Sequence, residues 1–549
     1  MNPAPQSGYP LRFGHLPWLL VCLLLAGGAA GAQEPQPPLA TALREALAPP
    51  PPEGESPYNW GELRSFYADE DYQPVWLGTA GPNRRAALLR RRLLEADREG
   101  LVPQHYRTEL IEPLWGSTYP LDRLRLELLL SSAFFDYVRD LRGGRFDPQQ
   151  VAQLWKIRRA PADPLTLLRV SLHFEDFGKA LDLLPPGHPV YGRLRQALAR
   201  YRRIEAQGGW PTIPPGPTLR LGAREPRVAQ LRVRLQREGE LSLPATAEDL
   251  FDEGLAYAVE RFQVRHSLDV DGVVGGKTLA ALNVPVAERI EQILLNMERW
   301  RWLPHSLGRR YLLVNIPAFE LILYEEGEAR VSMPVIVGTR ERPTPMVSGL
   351  LHTVVLNPDW TVPRNIALRD VIPRQRHNPD YLPSHGIRVF SNGQGEAELD
   401  PHTIDWEAVN WNHYPYMLRQ DPGPKNALGR VKFLFNNPFS IYLHDTPHEG
   451  LFAESTRAYS SGCIRLEEPF RLVEFLLGEE KGGAGDRDML QAVLDSGLIY
   501  EVPLTAPTRL YLLYFTVWAG EDGVLHFSRD IYGEDALLAV TMPYREQNR

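Results

Sequence analysis

The sequence predicts a multidomain α+β protein: a helical first half, a small three-helix module, then a mainly-β domain interrupted by an insert. Three observations carry this. Apolar residues recur at helical spacing through much of 58–303. From Tyr311 the period changes to strand alternation. Proline clusters at 49–52 and 212–217 mark joints. A length of 549 residues suits three or four domains. A net charge of −8 gives no footprint for nucleic-acid binding.

Residues 1–32 read as a secretory signal. Arg12 precedes a short apolar core from Leu16 to Ala26, and Ala30-Gly31-Ala32 forms a cleavage pattern before Gln33. The core is short for a membrane span, so membrane attachment requires that this segment stay uncleaved. Cys22 follows Val21 rather than a small residue, so it is not a lipoprotein cysteine. Its removal leaves Cys463 as the one thiol of the exported chain. Residues 33–57 are rich in proline and alanine and read as an extended linker without a core.

Residues 58–215 read as a helical domain. Leu88, Leu89, Leu93 and Leu94 have helical spacing, as do Leu124, Leu128, Phe135 and Val138 on a segment from Leu121 to Leu141. Trp60, Phe66, Tyr67, Tyr72 and Trp76 suit core packing better than a glycan platform. In 218–285, Val228, Leu231 and Leu235 mark one helix, Leu255, Val259 and Phe262 a second, and Thr278 to Asn283 begins a third. Asp269, Asp271 and Gly272 mimic part of a calcium loop, but Ser267 and Thr278 stand where acids are needed.

Residues 286–303 continue as a helix, with Ile290, Ile293, Leu294 and Met297 on one face. Strands follow at 311–316, 320–324 and 331–337, and 286–505 reads as one domain. Residues 361–425 break the strand rhythm and form an insert. Its Trp406, Trp411, Tyr414 and Tyr416 suit a cleft wall and a small core equally. Residues 484–502 read as a helix and exit strand. Residues 506–549 read as C-terminal strands packing on that domain, with 508–518 paired to 523–527.

The chemistry concentrates late in the chain. His444 lies 19 residues before Cys463 (463 − 444 = 19), in His444-Asp445-Thr446-Pro447 and Ser460-Ser461-Gly462-Cys463-Ile464-Arg465. A cysteine attacks as thiolate and needs a base or a cation beside it. The run 439–444 alternates, placing Ser440, Tyr442 and His444 on one strand face, and Asn436-Asn437-Pro438 reads as the turn before it. Glu467-Glu468-Pro469 reads as a helix start, so Cys463 is expected in a strand-to-helix loop with unpaired amides. His444, His448 and Glu449 mimic a zinc helix, but Pro447 and the strand pattern oppose it; no metal or other cofactor is expected. His352 reads as structural. Arg465 shares a side with Cys463 and could hold a substrate carboxylate or brace the loop against Glu467.

The pattern His444 … Ser461-Gly462-Cys463-Ile464-Arg465 resembles the signature of the L,D-transpeptidases, bacterial cell-wall enzymes. Gln420 to Gly429 resembles the run before the catalytic strands in their large periplasmic branch, and 218–285 is similar to a peptidoglycan-binding module. The resemblance implies a helical scaffold domain, that module, and a mainly-β catalytic domain whose insert at 361–425 caps the substrate cleft. It implies a periplasmic enzyme whose partners are peptidoglycan stem peptides and glycan, with other cell-wall synthesis enzymes as candidate partners. Cys463 becomes the nucleophile and His444 the base. Asp445 orients His444 through its backbone carbonyl. Gly462, Ser461 and Tyr442 belong to the oxyanion and orienting set, and Arg465 binds substrate. The competing functions are a thiol endopeptidase, opposed by the histidine-first order, and a non-catalytic wall-binding scaffold, opposed by the intact motif. The module holds no candidate catalytic group, so its loss is expected to lower activity on intact sacculi more than on soluble stems.

Overall fold

The computed structural model describes residues 38–50, 56–159, 162–241, 247–391, 397–478 and 487–542. The secretory-signal reading, Cys22 included, lies outside these residues. Among them no helix is long and apolar enough to cross a membrane.

The N-terminal region is helical. Its axis is α1, Pro120–Gly143, opened by a proline at its first turn and ended at Gly144 with φ +78°. Buried around it are Phe66, Tyr67, Trp76, Leu89 and Leu93, so these aromatics are core. Glu127 of α1 fixes the segment beside it: its carboxylate accepts from Trp76 N–H at 3.1 Å, Leu77 N–H at 3.0 Å and the Tyr67 hydroxyl at 2.8 Å. The expected extended linker needs correction. Leu39–Leu47 is a helix, with Leu43 and Leu47 buried in this same core. Leu39, Leu43 and Leu47 recur every four residues among Ala, Arg and Glu, and the prolines only flank them.

The helix α2, Pro189–Ala206, leads to the small module. It comprises α3 (Arg227–Glu238), α4 (Glu253–Arg265) and α5 (Gly276–Leu282), around Leu231, Leu235, Leu255, Val259 and Phe262. The side chain of Gln263 organises the 269–273 turn, accepting from the N–H of Asp271 and Gly272 and donating to Asp271 Oδ1 at 2.7 Å. The module is not loosely tethered. Glu238 accepts from Tyr201 of α2 at 2.7 Å and from Arg234 at 2.7 Å, all three fully buried. Arg265 pairs with Glu240 and donates to the carbonyl of Leu525 at 3.0 Å. The His266 ring stacks between Phe262 and Phe527.

The helix α6, Val286–Arg301, packs on α2 and carries the chain into the β domain. Its strands are β1 (Arg310–Asn315), β2 (Glu320–Glu325), β3 (Glu328–Gly338), β4 (Ser348–Leu356), β5 (Val431–Phe435), β6 (Leu443–His444), β7 (Ala458–Ser460), β8 (Ile464–Leu466) and β9 (Tyr500–Leu513). The order is β7-β3-β8-β6-β5-β4-β9-β1-β2, and β2 pairs back onto β3, closing the sheet. The boundary expected at 505 falls inside one strand. β9 lies between β4 and β1 in the sheet interior, with a register break between Pro503 and Thr508. Those prolines and the break hid its continuity. Of the strand expected over 508–518 to pair with 523–527, residues up to 513 belong to β9, only Val517–Ala519 pairs with Leu525–Phe527, and Glu534–Thr541 beyond them is a helix rather than a strand.

The insert folds on its own terms. Strands at 360–361, 387–391, 398–399 and 416–420 form a separate sheet over Val371, Ile372, Leu382, Val389 and Leu418. Trp406 is buried there with Tyr414 and Tyr416 packed against it, whereas Trp411 is exposed. Trp406, Tyr414 and Tyr416 thus serve the small core, and Trp411 does not.

Candidate active site

Two short strands assemble the site. β6 and β8 run parallel with Leu443 beside Ile464 and His444 beside Arg465, and Ile464 N–H donates to Tyr442 O at 3.2 Å. Side chains alternate along a strand, so Tyr442 and His444 share a face with Cys463 and Arg465. On the other side of β6, Lys432 of β5 is the partner of His444, and its Nζ lies 4.2 Å from the centre of the Tyr442 ring. Only Leu443 and His444 of the expected 439–444 strand are paired; Ser440 takes φ +55° and Phe439 is exposed. The Asn437 side chain holds this wider turn, accepting from Phe439 and Ile441 N–H and donating to Ile441 O.

Cys463 does not sit in a strand-to-helix loop, because β8 intervenes before the helix α7, Pro469–Leu477. It ends a tight bend between β7 and β8. Gly462 has φ +113°, which L side chains rarely adopt. Ser460 Oγ accepts from Gly462 N–H at 3.0 Å and donates to Cys463 O at 2.5 Å. Thr344 Oγ1 donates to Gly462 O at 2.9 Å, and Arg342 donates to Ser461 Oγ at 2.8 Å. The Gly462 N–H is therefore committed to Ser460, which removes it from the expected oxyanion donors. The Cys463 N–H has no acceptor among the described residues.

Burial pushes the Cys463 thiol up, while the N–H and hydroxyl of Tyr442 and the charges of Lys432 and Arg465 act in the opposite direction. Burial, reinforced by Arg465, lowers His444 to about 3. Thiol and imidazole therefore rest as a neutral pair. His444 Nδ1 lies 2.5 Å from Asp445 O. A carbonyl only accepts, so Nδ1 carries the proton and Nε2 keeps its lone pair. The Asp445 carboxylate is occupied elsewhere, accepting from Arg430 and Thr446 N–H, each at 2.7 Å. Gly429, at φ +62°, packs against that carboxyl so closely that a Cβ would clash. Arg465 is mostly buried; it forms no ion pair with Glu467 or any other described residue, and its Nε has no partner.

These groups open onto a cleft of about 760 Å³. One wall carries Tyr442, His444, Ser461, Cys463 and Arg465. The facing wall is the insert, through Trp360, Ile366, Asp370 and Arg374. Trp360 and Tyr442 line the cleft together. Asp370 of the insert forms a two-armed pair with Arg342, one arm at 2.8 Å, so the insert, Arg342 and the Ser461 hydroxyl make one chain of contacts. His352 is absent from this lining and bonds Thr353 Oγ1 at 2.8 Å. Arg342, Thr344, Ser460, Lys432 and Asp370 escaped the sequence reading. The Gly338-Thr339 and Pro343-Thr344-Pro345 runs mark only a turn by composition, and Lys432 looks like any polar step in an alternating run.

Three family models match the chain: a scaffold domain over 61–198, a "putative peptidoglycan binding domain" over 224–282 and the L,D-transpeptidase catalytic domain over 309–487. A curated relative, a "putative L,D-transpeptidase" of Haemophilus influenzae, is 36% identical over 245 residues. That match spans 45% of this chain and about half, 48%, of the relative. Among solved structures, an L,D-transpeptidase from Mycobacterium smegmatis is similar at 13% identity, covering 37% of this chain and 58% of that one, with a TM-score of 0.18. Another from Stackebrandtia nassauensis is similar at 11% identity, covering 55% and 96%, with a TM-score of 0.22. Residues 309–487, which contain both His444 and Cys463, thus form a catalytic domain of the L,D-transpeptidase family, preceded at 224–282 by a peptidoglycan-binding domain.

Proposed function

We propose that this protein is an L,D-transpeptidase that forms 3→3 crosslinks between peptidoglycan stem peptides through a thioester on Cys463. The observation that carries the proposal is the β6–β8 register, which gathers Tyr442, His444, Cys463 and Arg465 on one wall of a single cleft. His444 Nε2 takes the thiol proton as sulfur attacks the carbonyl before the terminal D-Ala of a tetrapeptide stem. The developing oxyanion is met by the Cys463 N–H and the Tyr442 hydroxyl. Collapse breaks the C–N bond, and the proton on His444 leaves with the D-Ala amine. The side-chain amine of a diamino acid in a second stem then attacks the thioester. His444 accepts its proton and returns it to sulfur.

Asp445 orients the imidazole through its carbonyl, Ser461 and Gly462 shape the nucleophile bend, and Arg465 engages a substrate carboxylate. The proposed peptidoglycan substrate and the module at 218–285 support a periplasmic location, in contact with stem peptides and glycan. The test is incubation with a disaccharide-tetrapeptide and mass spectrometry of the products. Crosslinked dimer and free D-Ala are expected from the native chain, and neither from Cys463→Ala. Substantial turnover by that variant overturns the mechanism.

A further inference from the structure

Beside the cleft lies a second cavity of about 250 Å³, between the insert and the segment that follows His444. Trp360, Ile366, Asp370, Arg374, Ala427 and Arg465 line both spaces, so the two abut along that partition. The second chamber is rich in cations: Arg374, Lys425 and Arg465 face it together with a single carboxylate, Asp370. That carboxylate is already taken by both arms of Arg342.

Arg465 is the informative group. It is mostly buried, has no ion pair among the described residues, and its Nε makes no hydrogen bond. An unpaired buried cation is costly, and a folded protein tolerates one where a ligand supplies the missing partner. A guanidinium matches a planar carboxylate through paired N–H donors. The two exposed cations retain donors as well. Lys425 Nζ gives one hydrogen bond, to Ser384 O at 3.0 Å, and Arg374 gives one to the Tyr381 hydroxyl at 3.1 Å.

We propose that this chamber is a carboxylate subsite, in which Arg465, Arg374 and Lys425 hold a free carboxylate of a peptide lying across the partition from Cys463. This rests on the reading of the cleft as an acyl-transfer site. A reaction between two peptides needs room for a second chain beyond the thioester, and stem peptides carry free carboxylates at their diamino acid.

The probe is a synthetic stem tripeptide, which lacks the terminal D-Ala and so cannot acylate the thiol, compared with its carboxamide twin. Each is titrated against the rate at which iodoacetamide alkylates Cys463, read by intact mass. The acid is expected to protect at concentrations at least tenfold lower than the amide. In the Arg374→Gln/Lys425→Gln double variant that advantage should shrink to within about twofold, with the unfolding midpoint reporting that the fold is kept. Either single variant serves if the pair fails to fold. Equal protection by acid and amide in the native chain overturns the subsite, and so does a full acid preference in the variants. Protection reads binding alone. A chain that prefers the acid but makes no crosslinked dimer overturns the reaction and not the subsite.

Discussion

At the scale of single residues, the site's chemistry turns on a neutral resting pair. His444 is held at about 3 by burial first and by Arg465 second, and burial also pushes the Cys463 thiol up. The sign follows directly. An imidazole with a lowered pKa stays a competent base above that value and is lost only as the pH falls through it. Acylation of Cys463 by a carbapenem should therefore hold within about twofold from pH 7 down to pH 5. A histidine at the ordinary value of about 6.5 would lose roughly 25-fold over that range. A drop of that size, measured by stopped-flow or intact mass, would show a His444 that titrates near its ordinary value instead. His444 and Cys463 were legible in the sequence because spacing and motif report them. Ser460 was not. It looks like one more serine of a short run, and only the bend shows its hydroxyl bridging Gly462 N–H and Cys463 O.

At the scale of elements, the insert does more than cover the cleft. Asp370 holds Arg342, and Arg342 holds Ser461 next to the nucleophile. Severing this contact with Arg342→Ala or Asp370→Asn should loosen the bend as well as the cap. The ratio of hydrolysed tripeptide to crosslinked dimer is expected to rise severalfold, because the thioester meets water more readily. The swapped pair Arg342→Asp/Asp370→Arg should recover part of the native ratio, and a native ratio in Asp370→Asn would remove the coupling. In the helical region, Glu127→Gln should cost about 2–4 kcal/mol in chemical denaturation, since an amide cannot accept from Trp76, Leu77 and Tyr67 together. An unchanged midpoint would show that the 75–77 segment is held by packing alone. Elements with a clean period, such as α1 and β1, were readable from pattern. The helix Leu39–Leu47 was masked by its proline neighbours, and β9 by the prolines at its break, because local composition speaks louder than a partner strand far away in the chain.

At the scale of the molecule, the small module is built into the rest. Glu238 is shared by Arg234 and Arg265 of the module and by Tyr201 outside it. Glu238→Gln strips Arg234 of its counter-charge and leaves Arg265 with Glu240 alone. A loss of about 3–5 kcal/mol in unfolding free energy is expected, and a loss under 1 kcal/mol would mark the network as dispensable. Removing 218–285 should accordingly reduce soluble yield and depress activity on free stems as well as on intact sacculi. Retention of full activity on free stems by the shortened protein would show that the module is a separable appendage.

The position of β9 has a consequence for the order of synthesis. β1 and β4 each need β9 between them, yet β9 leaves the ribosome some 144 residues after β4 ends (500 − 356 = 144), and after Cys463 as well. A nascent chain halted before residue 500 presents two unpaired strand edges and an open barrel. Its thiol has been made but not yet placed. In the unfinished chain β6 and β8 thus belong to a sheet that is still open, and the barrel around Cys463 closes only once β9 is in place.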